Sequence, residues 1–494
     1  MKKIAIISSV LLMVLSLCSC NKTDYQKVIP ANAMVVMKLD VRSIAEKSEF
    51  QKSSAMKTME MGLQAVVSGK DLQQVKEYLD DPMKMGIDLS MPIYAFMVDT
   101  ETYGITMKMD NEDAMKDFLL LLNKQGLASK PKEKNGVNSG TLLTDFNYTY
   151  DETTFLLMAS THGGGKKNNV AQQLMNLTDE DSFVGTEGFE RMSNEEQDVV
   201  IYANLATLPA NEVKDVSEIF PKMAKYYKDI ETMLSLNFDK GEAQMKVQVY
   251  AKTSEVQQLL DEANSNFDVI EGQYLDKVSN EMLVWMGAHV KGEWLLKEVK
   301  ENMFLKSFLF AFERAVDIEQ MLKAVDGDVS LEVPMSRFDK AEMDFVAFAK
   351  LNNSKFLSDV ADWKMSHKDY GIVMTDKGNN QYVMNIDGKA FNWGVNGDDL
   401  CLGTAKAFNQ SKKAESSPLK PYEKYIKDSQ MFIFVNMAAF ELDKILDSSH
   451  QDDAWMKKGL GSINAIIMKS SSVNEMTLVI DMKNKNENFL KQLL

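Results

Sequence analysis

Asn32-Ala33-Met34-Val35-Val36-Met37-Lys38-Leu39-Asp40 is a short apolar run closed by a polar residue and followed by a helical pattern. The same pattern returns three times. The copies begin at Asp198-Val199-Val200-Ile201, at Glu281-Met282-Leu283-Val284 and at Gln430-Met431-Phe432-Ile433. Runs this apolar predict strands covered on both faces. Asp40, Asn204 and Asn436 then stand where a helix N-cap is wanted, since a side-chain oxygen there accepts an orphan N–H. His289 holds the fourth such place and caps less well.

A second unit also occurs four times: strand, turn, strand, polar cap, amphipathic helix. Its copies run from Pro92 to Leu120, from Leu234 to Leu260, from Val329 to Leu357 and from Ile463 to Leu494. A third unit, a β-meander, occurs twice. Its centres read Phe146-Asn147-Tyr148-Thr149-Tyr150 and Phe391-Asn392-Trp393-Gly394-Val395. The order of units is the same in both halves, and the offsets agree, 249 residues from Asp40 to His289 and 245 from Phe146 to Phe391. Self-similarity of this kind predicts an internal duplication. The expected fold is α+β, two tandem duplicated halves at 28–268 and 275–494, each of mainly antiparallel sheets covered by helices. Longer helices are expected at 209–231 and 293–325. Polar stretches at 128–139 and 409–417 read as loops.

The 494 residues would suggest about three domains on length alone, so the repeats revise that to two halves. The net charge of −16 argues against nucleic acid, whose phosphates call for clustered cations. Four His and three Cys leave little material for metal or nucleophilic chemistry, while 35 Met is a large excess. Met sits mostly inside apolar segments, where it fills core gaps. No metal and no cofactor are expected.

Residues 1–20 read MKKIAIISSVLLMVLSLCSC. A basic start and a short apolar run fit a signal peptide and are too short to span a bilayer. Leu17-Cys18-Ser19-Cys20 looks like a lipobox, with Cys20 as the acylated first residue of the mature chain. That makes 1–19 the signal peptide and 20–27 a polar tether. Removal of Lys2 and Lys3 takes the net charge to −18. Cys401 is then the remaining thiol, expected to be buried and inert.

Four residues are candidates for ligand contact. His162 and Lys166 lie in Thr161-His162-Gly163-Gly164-Gly165-Lys166-Lys167. Such a loop can cradle an anion, and His-Gly-Gly-Gly resembles the oxyanion loop of some lipases. No Gly-x-Ser-x-Gly elbow accompanies it, so a surface loop is the leading reading. Tyr148 and Trp393 alternate with Phe146 and Phe391, and one strand face could present each pair to a sugar. Packing is the commoner fate of such pairs. The acidic turns Asp326-Gly327-Asp328 and Asn396-Gly397-Asp398-Asp399 lack the spacing of a calcium loop and read as hairpin chemistry.

A lipobox, a short tether and Val28-Ile29-Pro30-Ala31-Asn32-Ala33-Met34-Val35-Val36 together resemble an uncharacterised Bacteroidota lipoprotein family, domain of unknown function 4836. The resemblance implies a cell-envelope lipoprotein and carries no catalytic residues. The expectation is a non-enzymatic binding or structural module, lipid-anchored at the outer membrane, with an unknown protein or glycan partner. An envelope hydrolase and a glycan-binding surface lipoprotein are the alternatives.

Overall fold

Apolar runs with β-branched and aromatic residues become strands, and polar caps start the helices between them. The computed structural model describes residues 24–67, 69–143, 145–160, 167–207, 225–279, 282–301, 316–334, 344–366, 372–386, 388–405, 407, 417–440, 457 and 459–493. They fall into two compact units divided between Asn237 and Phe238, so that the last two residues of strand Ile230–Asp239 count with the second unit and the rest of it with the first.

The first unit holds β1 (Val35–Leu39), β2 (Ile93–Met97), β3 (Thr102–Lys108), β4 (Lys132–Lys134), β5 (Val137–Leu142), β6 (Phe146–Tyr150), β7 (Thr154–Ser160), β8 (Val199–Asn204) and β9 (Ile230–Asp239). They pair antiparallel in the order β4-β5-β6-β7-β3-β2-β1-β8-β9. The second unit holds β10 (Glu242–Ala251), β11 (Phe267–Asp268), β12 (Met282–Lys291), β13 (Val325–Pro334), β14 (Val346–Leu351), β15 (Val373–Gly378), β16 (Gln381–Ile386), β17 (Lys389–Asn396), β18 (Asp399–Thr404), β19 (Met431–Asn436), β20 (Ile463–Ser472) and β21 (Glu475–Met482). Its order is β15-β16-β17-β18-β14-β13-β12-β19-β20-β21-β10, with the short β11 beside the end of β12.

Nine strands of each unit follow one topology, and their registers match. One face of the first sheet reads Leu157-Ile105-Ala95-Met37-Ile201 across five strands. The matching face of the second reads Leu402-Ala347-Leu331-Met286-Ile433. The compact units do not divide where the sequence halves do. The stretch from β10 to the helix Ser254–Asn264 falls in the second unit, because β10 pairs with β21 along seven residues, Glu242↔Asp481 to Gln248↔Glu475.

Each unit packs its meander into a core. Tyr148, Tyr150 and Phe155 stack in the first, under the helix Glu112–Lys124 that supplies Met115 and Leu119. Trp393 stacks on Tyr382 with ring centroids 4.5 Å apart in the second and touches Trp363 at 6.2 Å.

The caps divide. Asp40 accepts the Ser43 N–H at 2.8 Å and Asn111 accepts that of Ala114 at 3.0 Å, each opening a helix. Asn204 accepts the Ala206 N–H at 3.2 Å at the start of the 3₁₀ turn Leu205–Thr207, after which the described residues break off. Asn436 caps nothing with its side chain and instead donates to the Met282 carbonyl of the neighbouring strand. His289 is not at a helix start at all, because β12 runs on to Lys291.

Other expectations need correction. The 128–139 loop is in large part the β4–β5 hairpin, turned by Asn135 and Gly136 at φ 55° and 76°, a pairing that suits an Asn-Gly turn. Asp326-Gly327-Asp328 lies within β13, where Gly327 at φ 135° sits in an irregular register against β14. Asn396 and Asp399 do close a hairpin, β17–β18. The expected 20–27 tether is shortened, since Tyr25 and Gln26 are buried in the first unit, with the Tyr25 hydroxyl donating to Pro92 O at 2.8 Å. Of the helix expected at 209–231, residues 208–224 lie outside the described part, 227–229 form a 3₁₀ turn and β9 begins at 230. The 293–325 expectation resolves into helices Gly292–Glu301 and Ile318–Lys323, with 302–315 outside the described residues. Residues 408–416 also lie outside them. Cys401 is half-buried rather than buried.

Candidate functional site

The sequence candidates do not come together. Cys20, His162 and Lys166 lie outside the described residues. Tyr148 is 0% exposed and Trp393 is 1% exposed, so neither offers a ring to a sugar. The alternation that suggested a platform is real, but the aromatic face is the one that the meander turns inward, against helices Glu112–Lys124 and Val360–Ser366. Tyr148 also donates its hydroxyl to Ser129 O at 2.8 Å.

His289 and Asp328 form the one described His–carboxylate contact, Nδ1 to Oδ1 at 3.1 Å across the β12–β13 pair. Asp328 is buried, and it also accepts the backbone N–H groups of Glu271 and Gly272 at 3.0 and 2.7 Å. No hydroxyl or thiol among the described residues meets the other nitrogen of His289. The pair therefore fastens the 271–272 turn to the sheet. Among the described residues no three His, Cys, Asp or Glu side chains are grouped to hold a metal ion.

What the second unit does hold is a cavity of about 390 Å³. That is within the range of ligand pockets, ~300–1,000 Å³. Its floor is the sheet. Two rows of side chains cross five strands: Met431-Ala288-Val329-Ala349-Leu400 and Ile433-Met286-Leu331-Ala347-Leu402. Its roof comes from Leu295 and Val299 of helix Gly292–Glu301 and from Ile318, Met321 and Leu322 of helix Ile318–Lys323. The room arises because Ala occupies three of the ten floor positions, Ala288, Ala347 and Ala349. Gly292 lets the two roof helices approach closely, since a Cβ there would run into the carbonyl of Leu322. Ser330 contributes the one hydroxyl among the lining residues. Strand alternation turns that hydroxyl to the opposite face, where it lies buried with Asp328 and Glu332. Among the described residues, the lining that faces this space carries no group to move a proton or hold a charge. It can bind an apolar group and exclude water from it.

The opposite face of the same sheet carries the most perturbed carboxyl near this site. Glu332 is buried, and both its oxygens face the Ser279 N–H, at 3.2 and 3.1 Å. Burial pushes it up to about 7, with the Ser279 hydrogen bond pulling weakly the other way.

Residues 25–440 match the family described as "Domain of unknown function (DUF4836)". The chain belongs to that family. No curated protein matches it. Among solved structures, crystal form III of TP0453 is similar at 10% identity and a TM-score of 0.27, over 51% of this chain and 90% of that one. Crystal form IV gives 10% and 0.28, over 49% and 85%. Superpositions at these scores support no transfer of function. The family match adds no site residue, so the cavity stands on its geometry alone. Sequence reasoning missed it because its floor residues come from five strands, between Met286 and Ile433.

Proposed function

We propose that this member of the DUF4836 family is a non-enzymatic binding protein of the cell envelope, held to the outer membrane by a lipid on Cys20, that takes an apolar ligand into the cavity of its second unit. The cavity is the observation that carries the binding reading. No helix among the described residues is long and apolar enough to cross a membrane, so the reading gives attachment to the lipid. The shared nine-strand order and the matching registers support descent of the two units from one duplicated ancestor. The glycan reading lost its support with the burial of Tyr148 and Trp393.

Two experiments test this. The first titrates an environment-sensitive apolar dye, N-phenylnaphthylamine, against the wild type and Ala347→Phe. The expected result is saturable fluorescence enhancement in the wild type, weakened at least tenfold by a side chain that fills the floor. Enhancement that never saturates, or that is equal in a folded Ala347→Phe variant, would refute cavity binding. The second follows incorporation of labelled palmitate in cells. The wild type should take up label and fractionate with membranes, and Cys20→Ala should do neither. Equal labelling of the variant would remove the anchor from the proposal.

A further inference from the structure

The identity of the ligand rests on the binding reading above, and the shape of the cavity narrows it further than its polarity does. Five strands at the usual ~4.8 Å spacing make a floor about 19 Å long across the sheet. Along the strands the floor is only two same-face positions deep, about 7 Å. The space is therefore a trough, longer across the sheet than it is wide along the strands, roofed by Leu295, Val299 and Met321. A compact ring system would fill one end of such a trough and leave the rest empty. Left unfilled, an apolar lining of this length stays in contact with water, and only something equally long covers it from end to end.

We infer that the occupant is the aliphatic chain of a free single-chain lipid, laid across the strands with its polar head outside. The floor and roof side chains offer no hydrogen bond anywhere along the trough, so the buried portion of the ligand must itself have none. The anchor of this same chain is a poor second source. An acyl group on Cys20 that filled the trough would no longer hold the protein to a membrane.

The test uses the full mature chain in its Cys20→Ala form, with straight-chain carboxylates from eight to sixteen carbons, and naphthalene as a compact apolar probe. Affinity should climb roughly fourfold for each added methylene, the value of burying one such group, and then level off where the trough ends. Ala349→Phe, which blocks the floor one strand short of its Leu400 end, should bring the plateau forward by several carbons. Affinity that is flat with chain length, while naphthalene still binds, would overturn the chain assignment and leave cavity binding intact. Binding of neither would overturn both. A lipidated wild type that refuses ligands accepted by Cys20→Ala would identify the anchor itself as the occupant and overturn the free-lipid source.

Discussion

Trp393→Ala is expected to destabilise the second unit by about 3–5 kcal/mol. The indole is 1% exposed and lies between Tyr382 and Trp363, so its removal leaves a hole that neighbouring rings cannot close. In a unit of this size that loss lowers the melting temperature by about 10 °C or more. The indole N–H meets no acceptor among the described residues. Trp393→Phe therefore forfeits only volume, gives up no hydrogen bond, and should fall well between the wild type and the Ala variant. Thermal unfolding of the three proteins checks the order. A melting temperature in Trp393→Ala within a degree or two of the wild type would mean that the ring is not packed as described.

Glu332→Gln is expected to raise stability at pH 8 by about 3 kcal/mol and to change it little at pH 4. The sign is set by the direction of the shift. In the folded chain burial holds the Glu332 carboxyl up to about 7, against 4.5 for an ordinary one. Between those two values the native state keeps a proton that the unfolded state has released. The stabilisation is complete below pH 4.5, falls as pH rises, and is gone above pH 7. Glutamine is neutral throughout and still offers an oxygen to the Ser279 N–H, so it escapes the desolvation cost of a buried anion. Urea unfolding of both proteins across pH 4–8 isolates the difference, since all other titrations are common to the pair. Parallel stability curves would show that Glu332 ionises as a solvated group.

Much of the fold was legible because it is periodic. The cores of β1, β6, β8, β17 and β19 coincide with runs readable by eye, and the Asp40 and Asn111 caps fall where short polar residues precede helical patterns. The β4–β5 hairpin was missed because Lys132-Glu133-Lys134 is an exposed edge strand with no apolar face. Asn135-Gly136 between its strands was the available signal. Asn436 and His289 were misassigned for a common reason: both belong to strands whose polar ends bond across the sheet rather than along the chain. The buried Glu332 and the trough could not be read at all. Glu332 alternates with Leu331 and Val333 as any half-exposed strand residue would, and an internal space is a property of distant residues meeting, to which Ala288, Ala347 and Ala349 contribute only by being small.

The trough wall includes three thioethers, Met286, Met321 and Met431, and no side-chain hydrogen-bonding group that faces inward. Such a wall has no vocabulary for chemical identity. It can measure bulk and reach, and unbranched thioethers let even that measure give way. Among molecules of equal length, occupancy would then track their abundance in the compartment. The protein would act as a gauge of supply rather than a reader of structure.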